Sequence, residues 1–169
     1  MAAGGVVVIG VGNPLRGDDG AGLAVVEDRI VETRGVRVVA HPGEGSDLLR
    51  IWEGADAAVI VDAMASGGEP GTIVRFDASR EPLPARAAGR PTGHSVGIAE
   101  TIEMARALGR LPRDVVVLGV VGANFELGAG LSEPVAAALD ALAEAVVAEA
   151  QRLGPSRSRV GRTRGSRSR

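Results

Sequence analysis

No cysteine occurs in the 169 residues, which excludes disulfides, thiolate metal sites and a cysteine nucleophile. Aromatic residues are scarce, at 2%, although 45% of the chain is hydrophobic, so any core must be built from Val, Ala, Leu and Ile. Lysine is absent and every basic side chain is Arg. No apolar run approaches transmembrane length, and the opening MAAGG lacks a basic region followed by an apolar signal segment. The expectation is a cytoplasmic protein without a membrane partner. Acidic residues are missing from the C-terminal stretch: from Pro155 the chain reads PSRSRVGRTRGSRSR, with six Arg. Subtracting those six charges from the net −2 leaves about −8 on residues 1–154. This low-complexity tail cannot bury enough surface to fold and is expected to be a disordered extension. Its charge leaves a small opening for nucleic acid or an acidic partner.

What is present is organised around Val6–Gly22, VVVIGVGNPLRGDDGAG. Val6–Ile9 is a β-branched run with the composition of a strand buried on both faces. Gly10 and Gly12 read as its end, followed by Pro14. From Ala21 the spacing becomes helical, with Leu23, Val26 and Ile30 on one face. Asp18 and Asp19 lie at the helix start, where free N–H groups favour negative charge. A strand–glycine loop–helix unit of this kind places its loop at the carboxyl edge of a parallel sheet, where ligands bind.

The rest of the chain repeats the alternation. Val36–Ala40 is a second strand, followed by a loop from His41 to Gly45 and a short helix that Ser46 can cap, carrying Leu48, Leu49 and Trp52. Ala57–Val61 is a third strand ending at Asp62, and Thr72–Phe76 a fourth after a glycine-rich turn. Asp77–Thr92 is rich in Arg, Pro and Ala and reads as a long loop. A helix is expected from near His94, with Ile98, Ile102, Ala105 and Leu108 on one face. Val115–Val121 is a fifth strand, and Ser132 caps a long final helix reaching about Leu153. Strands alternating with helices predict one domain over residues 1–154, a three-layer α/β/α sandwich with a mainly parallel five-stranded sheet.

Two motif matches fail in context. Gly10-Val11-Gly12 suggests a dinucleotide fingerprint, but Leu15 occupies the third glycine position and His41 stands where the acidic ribose ligand belongs. Gly93–Gly97 matches G-x-S-x-G, yet no strand precedes it and no His follows the Ser, which rules out a serine hydrolase. Asp62 alone reads equally well as a turn residue, and Asp18, Asp19 and His94 as caps. Together, Asp19, Asp62 and His94 are all expected at the carboxyl edge of the sheet. Two carboxylates and an imidazole converging there make a site with open positions suited to nickel or zinc.

The chain resembles the hydrogenase maturation proteases, which trim the large subunit of nickel-iron hydrogenases. The resemblance is carried by GVGNPLRGDDGAG (10–22), VIVDAM (59–64), PGT (70–72), GHSVGIAE (93–100) and LGVVGANFELGAGLSEPV (118–135). It implies a phosphorylase/hydrolase-like sheet and an endopeptidase that acts after nickel has entered its substrate. The large-subunit precursor is the implied partner, and the substrate carries the nickel, other divalent metals being able to occupy the site in vitro. Asp19, Asp62 and His94 are the implied metal ligands and catalytic residues, and Asn13, Gly43 and Gly45 the implied substrate contacts. One departure stands out: family members often carry Asp-Gly-Gly-Thr after the second strand, where this chain has HPGEGSDLL (41–49). The alternative is a non-enzymatic nickel- or client-binding maturation factor using the same three ligands.

Overall fold

The computed structural model describes residues 4–42, 47–84 and 97–154. His94, Gly43, Gly45, Ser46 and the Arg-rich tail lie outside the described residues. Within them the strands are β1 (Val6–Gly12), β2 (Val36–Pro42), β3 (Ala57–Met64), β4 (Ile73–Asp77) and β5 (Asp114–Val121). The helices are α1 (Ala21–Asp28), α2 (Leu48–Ile51), α3 (Ile98–Ala107) and α4 (Glu133–Leu153). The sheet order is β2-β1-β3-β5-β4, with β4 alone antiparallel.

Alternation along the strands divides the core. Val6, Val8, Val59, Val61 and Leu118 face α1 and α4, while Val7, Ile9, Ala58, Ile60 and Val117 face α2 and α3. The three central strands are buried on both faces, which is why they read as continuous apolar runs. The result is the expected α/β/α sandwich. No helix among the described residues is long and apolar enough to cross a membrane.

Several boundaries differ from the sequence expectation. β1 continues through both glycines to Gly12. A Cβ at Gly10 would lie 2.4 Å from the Gly22 carbonyl oxygen and 2.5 Å from Val26 Cγ2. The glycine therefore marks the close approach of α1 to the strand and not the strand's end. His41 and Pro42 belong to β2, pairing with Val11 and Gly12. Proline is tolerated there because β2 is an edge strand. Asp62 lies inside β3, opposite Gly119 of β5. α3 begins at Ile98, after Gly97; Leu108 lies past its end and is exposed, while Thr101 takes a buried position and donates its hydroxyl to the Gly97 carbonyl at 3.0 Å. Ile30 packs on the core from beyond the end of α1.

One feature of the register sets up the site. β1 pairs with β3 only from Val6↔Ala57 to Gly10↔Val61. The outer pairings run further, to Gly12↔Pro42 and Met64↔Val121. The central seam therefore forks at its carboxyl end. The chain also leaves β1 toward β2 on one side and returns to β3 on the other, so this fork is the topological switch point. The first turn of α1 is seated on it: a Cβ at Gly22 would lie 2.3 Å from the Val61 carbonyl oxygen and 2.7 Å from that of Val11. Gly22→Ala is expected to cost about 3 kcal/mol in overpacking against backbone. Better helix propensity offsets about 1 kcal/mol of this. A net loss of about 2 kcal/mol should appear in a denaturant melt, and unchanged stability would show that α1 is free to shift off the fork.

Candidate active site

Two of the three predicted ligands meet at the fork. Asp62 is buried on β3, and its Oδ1 accepts the Ala63 N–H at 2.8 Å. Asp19 lies in a 3₁₀ turn, Gly17–Gly20, that leads from β1 into α1. Its Oδ2 accepts the Asn13 N–H at 2.9 Å. Burial pushes the Asp62 pKa up, the negative charge of Asp19 pushes it further, and it reaches about 8 despite the Ala63 hydrogen bond. Asp19 is also raised, by burial, with the Asn13 N–H and the Arg16 charge opposing. The charge of each carboxylate thus opposes ionisation of the other. Among the described residues no group of three His, Cys, Asp or Glu side chains is placed to hold a metal ion. The third predicted ligand, His94, is outside that set.

The pair Asp18-Asp19 splits into two unrelated roles. Asp18 is fully buried and caps no part of α1. Its carboxylate accepts the backbone N–H groups of Ala123 (2.7 Å), Asn124 (2.9 Å) and Ser132 (2.7 Å), and the Ser132 hydroxyl at 2.9 Å. Burial alone would raise its pKa; these four donors outweigh burial and hold it below the usual carboxylate range. Ser132 therefore occupies the N-cap position of α4 but spends its hydroxyl on Asp18 and makes no side-chain cap bond. Sequence reasoning missed this hub. Its signal is faint: one short turn cannot aim two adjacent aspartates at the same point, so one of them must serve elsewhere.

Asn13, predicted to touch substrate, supports the site from within. Its backbone N–H holds Asp19, and its Oδ1 accepts the Leu15 N–H at 2.9 Å. His41 is paired with Val11 in the register, which puts it on the α2/α3 face that Asp62 shares. Its Nε2 lies 3.6 Å from Asp47 Oδ2.

The fold and the sequence are both similar to those of hydrogenase maturation proteases. A family profile described as HycI, hydrogenase maturation protease, matches residues 27–149. The hydrogenase expression/formation protein HoxM of Azotobacter vinelandii is 33% identical, over 96% of this chain and 86% of its own. The hydrogenase 2 maturation protease of Escherichia coli K12 is 28% identical, over 88% of this chain and 92% of its own. Among solved structures, the hydrogenase-maturating endopeptidase HybD from E. coli superposes with a TM-score of 0.75 at 27% identity, covering 88% of this chain and 93% of that one. The chain belongs to the hydrogenase maturation protease family.

Proposed function

We propose that this chain is a cytoplasmic endopeptidase that removes the C-terminal extension of a nickel-iron hydrogenase large-subunit precursor after nickel insertion. The observation that carries the reading is the Asp19–Asp62 pair in the fork. Near neutral pH, without a cation, the pair retains a proton, because burial and mutual repulsion resist its full ionisation. A divalent cation supplies the missing charge, and carboxylate oxygens suit nickel or zinc when an imidazole joins them. Asp19 and Asp62 would hold the nickel that the precursor brings, with His94 as the third ligand.

This arrangement makes the metal the handle by which substrate is recognised. A precursor without nickel offers nothing to neutralise the pair, whereas a loaded one does, and its scissile bond is drawn to the fork with the metal. Hydrolysis then adds water across that bond, with proton transfer by a carboxylate or polarisation of the carbonyl by the substrate's metal as the two routes open to this chemistry. The test is incubation with nickel-loaded and nickel-free precursor, read by mass spectrometry. A shortened large subunit from the loaded form alone is expected. A stable, uncut complex would make the chain a binding factor, and equal cutting of both forms would remove the metal from recognition.

A further inference from the structure

Leu15 and Leu127 are two large apolar side chains left strongly exposed, at 68% and 72%. Single exposed leucines are ordinary. These two sit on different loops, one after β1 and one after β5, and their backbones are tied together. The Leu15 carbonyl accepts the Gly128 N–H at 2.8 Å. The Leu15 N–H donates to Asn13 Oδ1, and the Asn13 N–H donates to Asp19 Oδ2. Both backbone polar groups of Leu15 are thus committed, and one residue links it to a carboxylate of the site. The second loop is held to the first by the Asp18 carboxylate, through Ala123, Asn124 and Ser132, and by the Asp18 N–H on the Asn124 carbonyl at 2.8 Å. The loops are pinned while the two side chains are presented to solvent.

We infer that Leu15 and Leu127 form a specificity subsite that receives an apolar side chain of the substrate polypeptide, on the segment flanking the scissile bond. The inference rests on the proposed function, because it takes an extended peptide crossing the Asp19–Asp62 pair as the occupant. A strand-like peptide advances about 3.3 Å per residue, so residues close to the cleaved bond pass over the rim that carries the leucines. Asp19 and Asp62 supply the acidic part of the site. The leucine pair is its apolar part, and burying it against an aliphatic or aromatic side chain removes both surfaces from water. A pinned backbone presents the pair without an ordering cost on binding.

The test uses Leu15→Ser, Leu127→Ser and the double variant of the full chain. None of the tying hydrogen bonds uses a leucine side chain, so they survive, and little buried area is lost; melting temperature should stay within about 2 °C of wild type. The dissociation constant for nickel-loaded precursor and the KM should each rise about tenfold per leucine. The kcat should change less than about twofold, and Leu15→Met should restore most of the binding. Variants that bind and cut like wild type would overturn the subsite alone, as would weaker binding accompanied by early melting. Binding is read whether or not the bond is cut. A wild-type protein that binds but never cuts would overturn the proposed function and leave the subsite standing. A wild type that does not bind at all would overturn both.

Discussion

Asp62→Asn is expected to stabilise the metal-free protein at pH 8 while abolishing processing. In the folded chain the Asp62 pKa is about 8, against an ordinary value near 3.9 when unfolded. A pKa raised by folding means that the folded state holds the proton more tightly. Its stabilising contribution is complete below about pH 4 and is lost as pH rises toward 8. Each pH unit in that window removes about 1.4 kcal/mol, so the full span is on the order of 5 kcal/mol. The asparagine keeps an oxygen for the Ala63 N–H and carries no charge to repel Asp19. Wild type should therefore melt earlier at pH 8 than at pH 5, whereas Asp62→Asn should lose most of that slope. Nickel or zinc should restore the wild type at pH 8. At pH 7 binding should release about one proton per ion, read by calorimetry in buffers of different ionisation enthalpy. The asparagine variant should show neither effect. Wild-type processing by a folded Asp62→Asn protein would remove Asp62 from the site.

The order of elements was legible because the central strands are buried on both faces and leave unbroken β-branched runs, while α4 carries Glu133 and Pro134 in its first turn. What local sequence does not encode is the reason for a given residue. Glycine at positions 10 and 12 looks the same whether it turns the chain or admits a neighbouring helix, and only the approach of Gly22, Val26 and Asp19 distinguishes the two. Asp62 reads as a strand end because an unpaired carboxylate inside a buried strand is costly. The structure keeps it there, in the part of β3 past the last register pair with β1. Asp19 and Asp62 were legible as partners through topology, since both follow from the carboxyl ends of strands flanking the switch point. The separation of Asp18 from Asp19 was not, because it depends on residues more than 100 positions away.

Asp18→Asn is expected to destabilise the fold far more than Asp19→Asn, although the two residues are adjacent. Asp18 Oδ1 accepts Ser132 N–H, and Oδ2 accepts Ala123 N–H, Asn124 N–H and the Ser132 hydroxyl. An asparagine offers one acceptor oxygen. In either orientation its NH₂ group faces at least one backbone N–H, donor against donor, in a fully buried site. Each unsatisfied buried donor costs about 1–3 kcal/mol, and bonds to a charged acceptor are the stronger kind. The expected loss is about 3–5 kcal/mol, a large share of the 5–15 kcal/mol typical of a domain. At about 2–4 °C per kcal/mol for a chain of this size, the melting temperature should fall by roughly 10 °C or more. The pH dependence should also separate the neighbours. Because folding lowers the Asp18 pKa, its contribution is present above the ordinary carboxylate range and lost as pH falls through the lower folded value. Wild type should thus lose part of its advantage over Asp18→Asn in acid. Asp19→Asn should leave the melt near neutral pH unchanged or improved, since it removes a charge that opposes Asp62, while processing is lost. An Asp18→Asn protein as stable as wild type would mean that the β5–α4 loop is held by something other than this carboxylate.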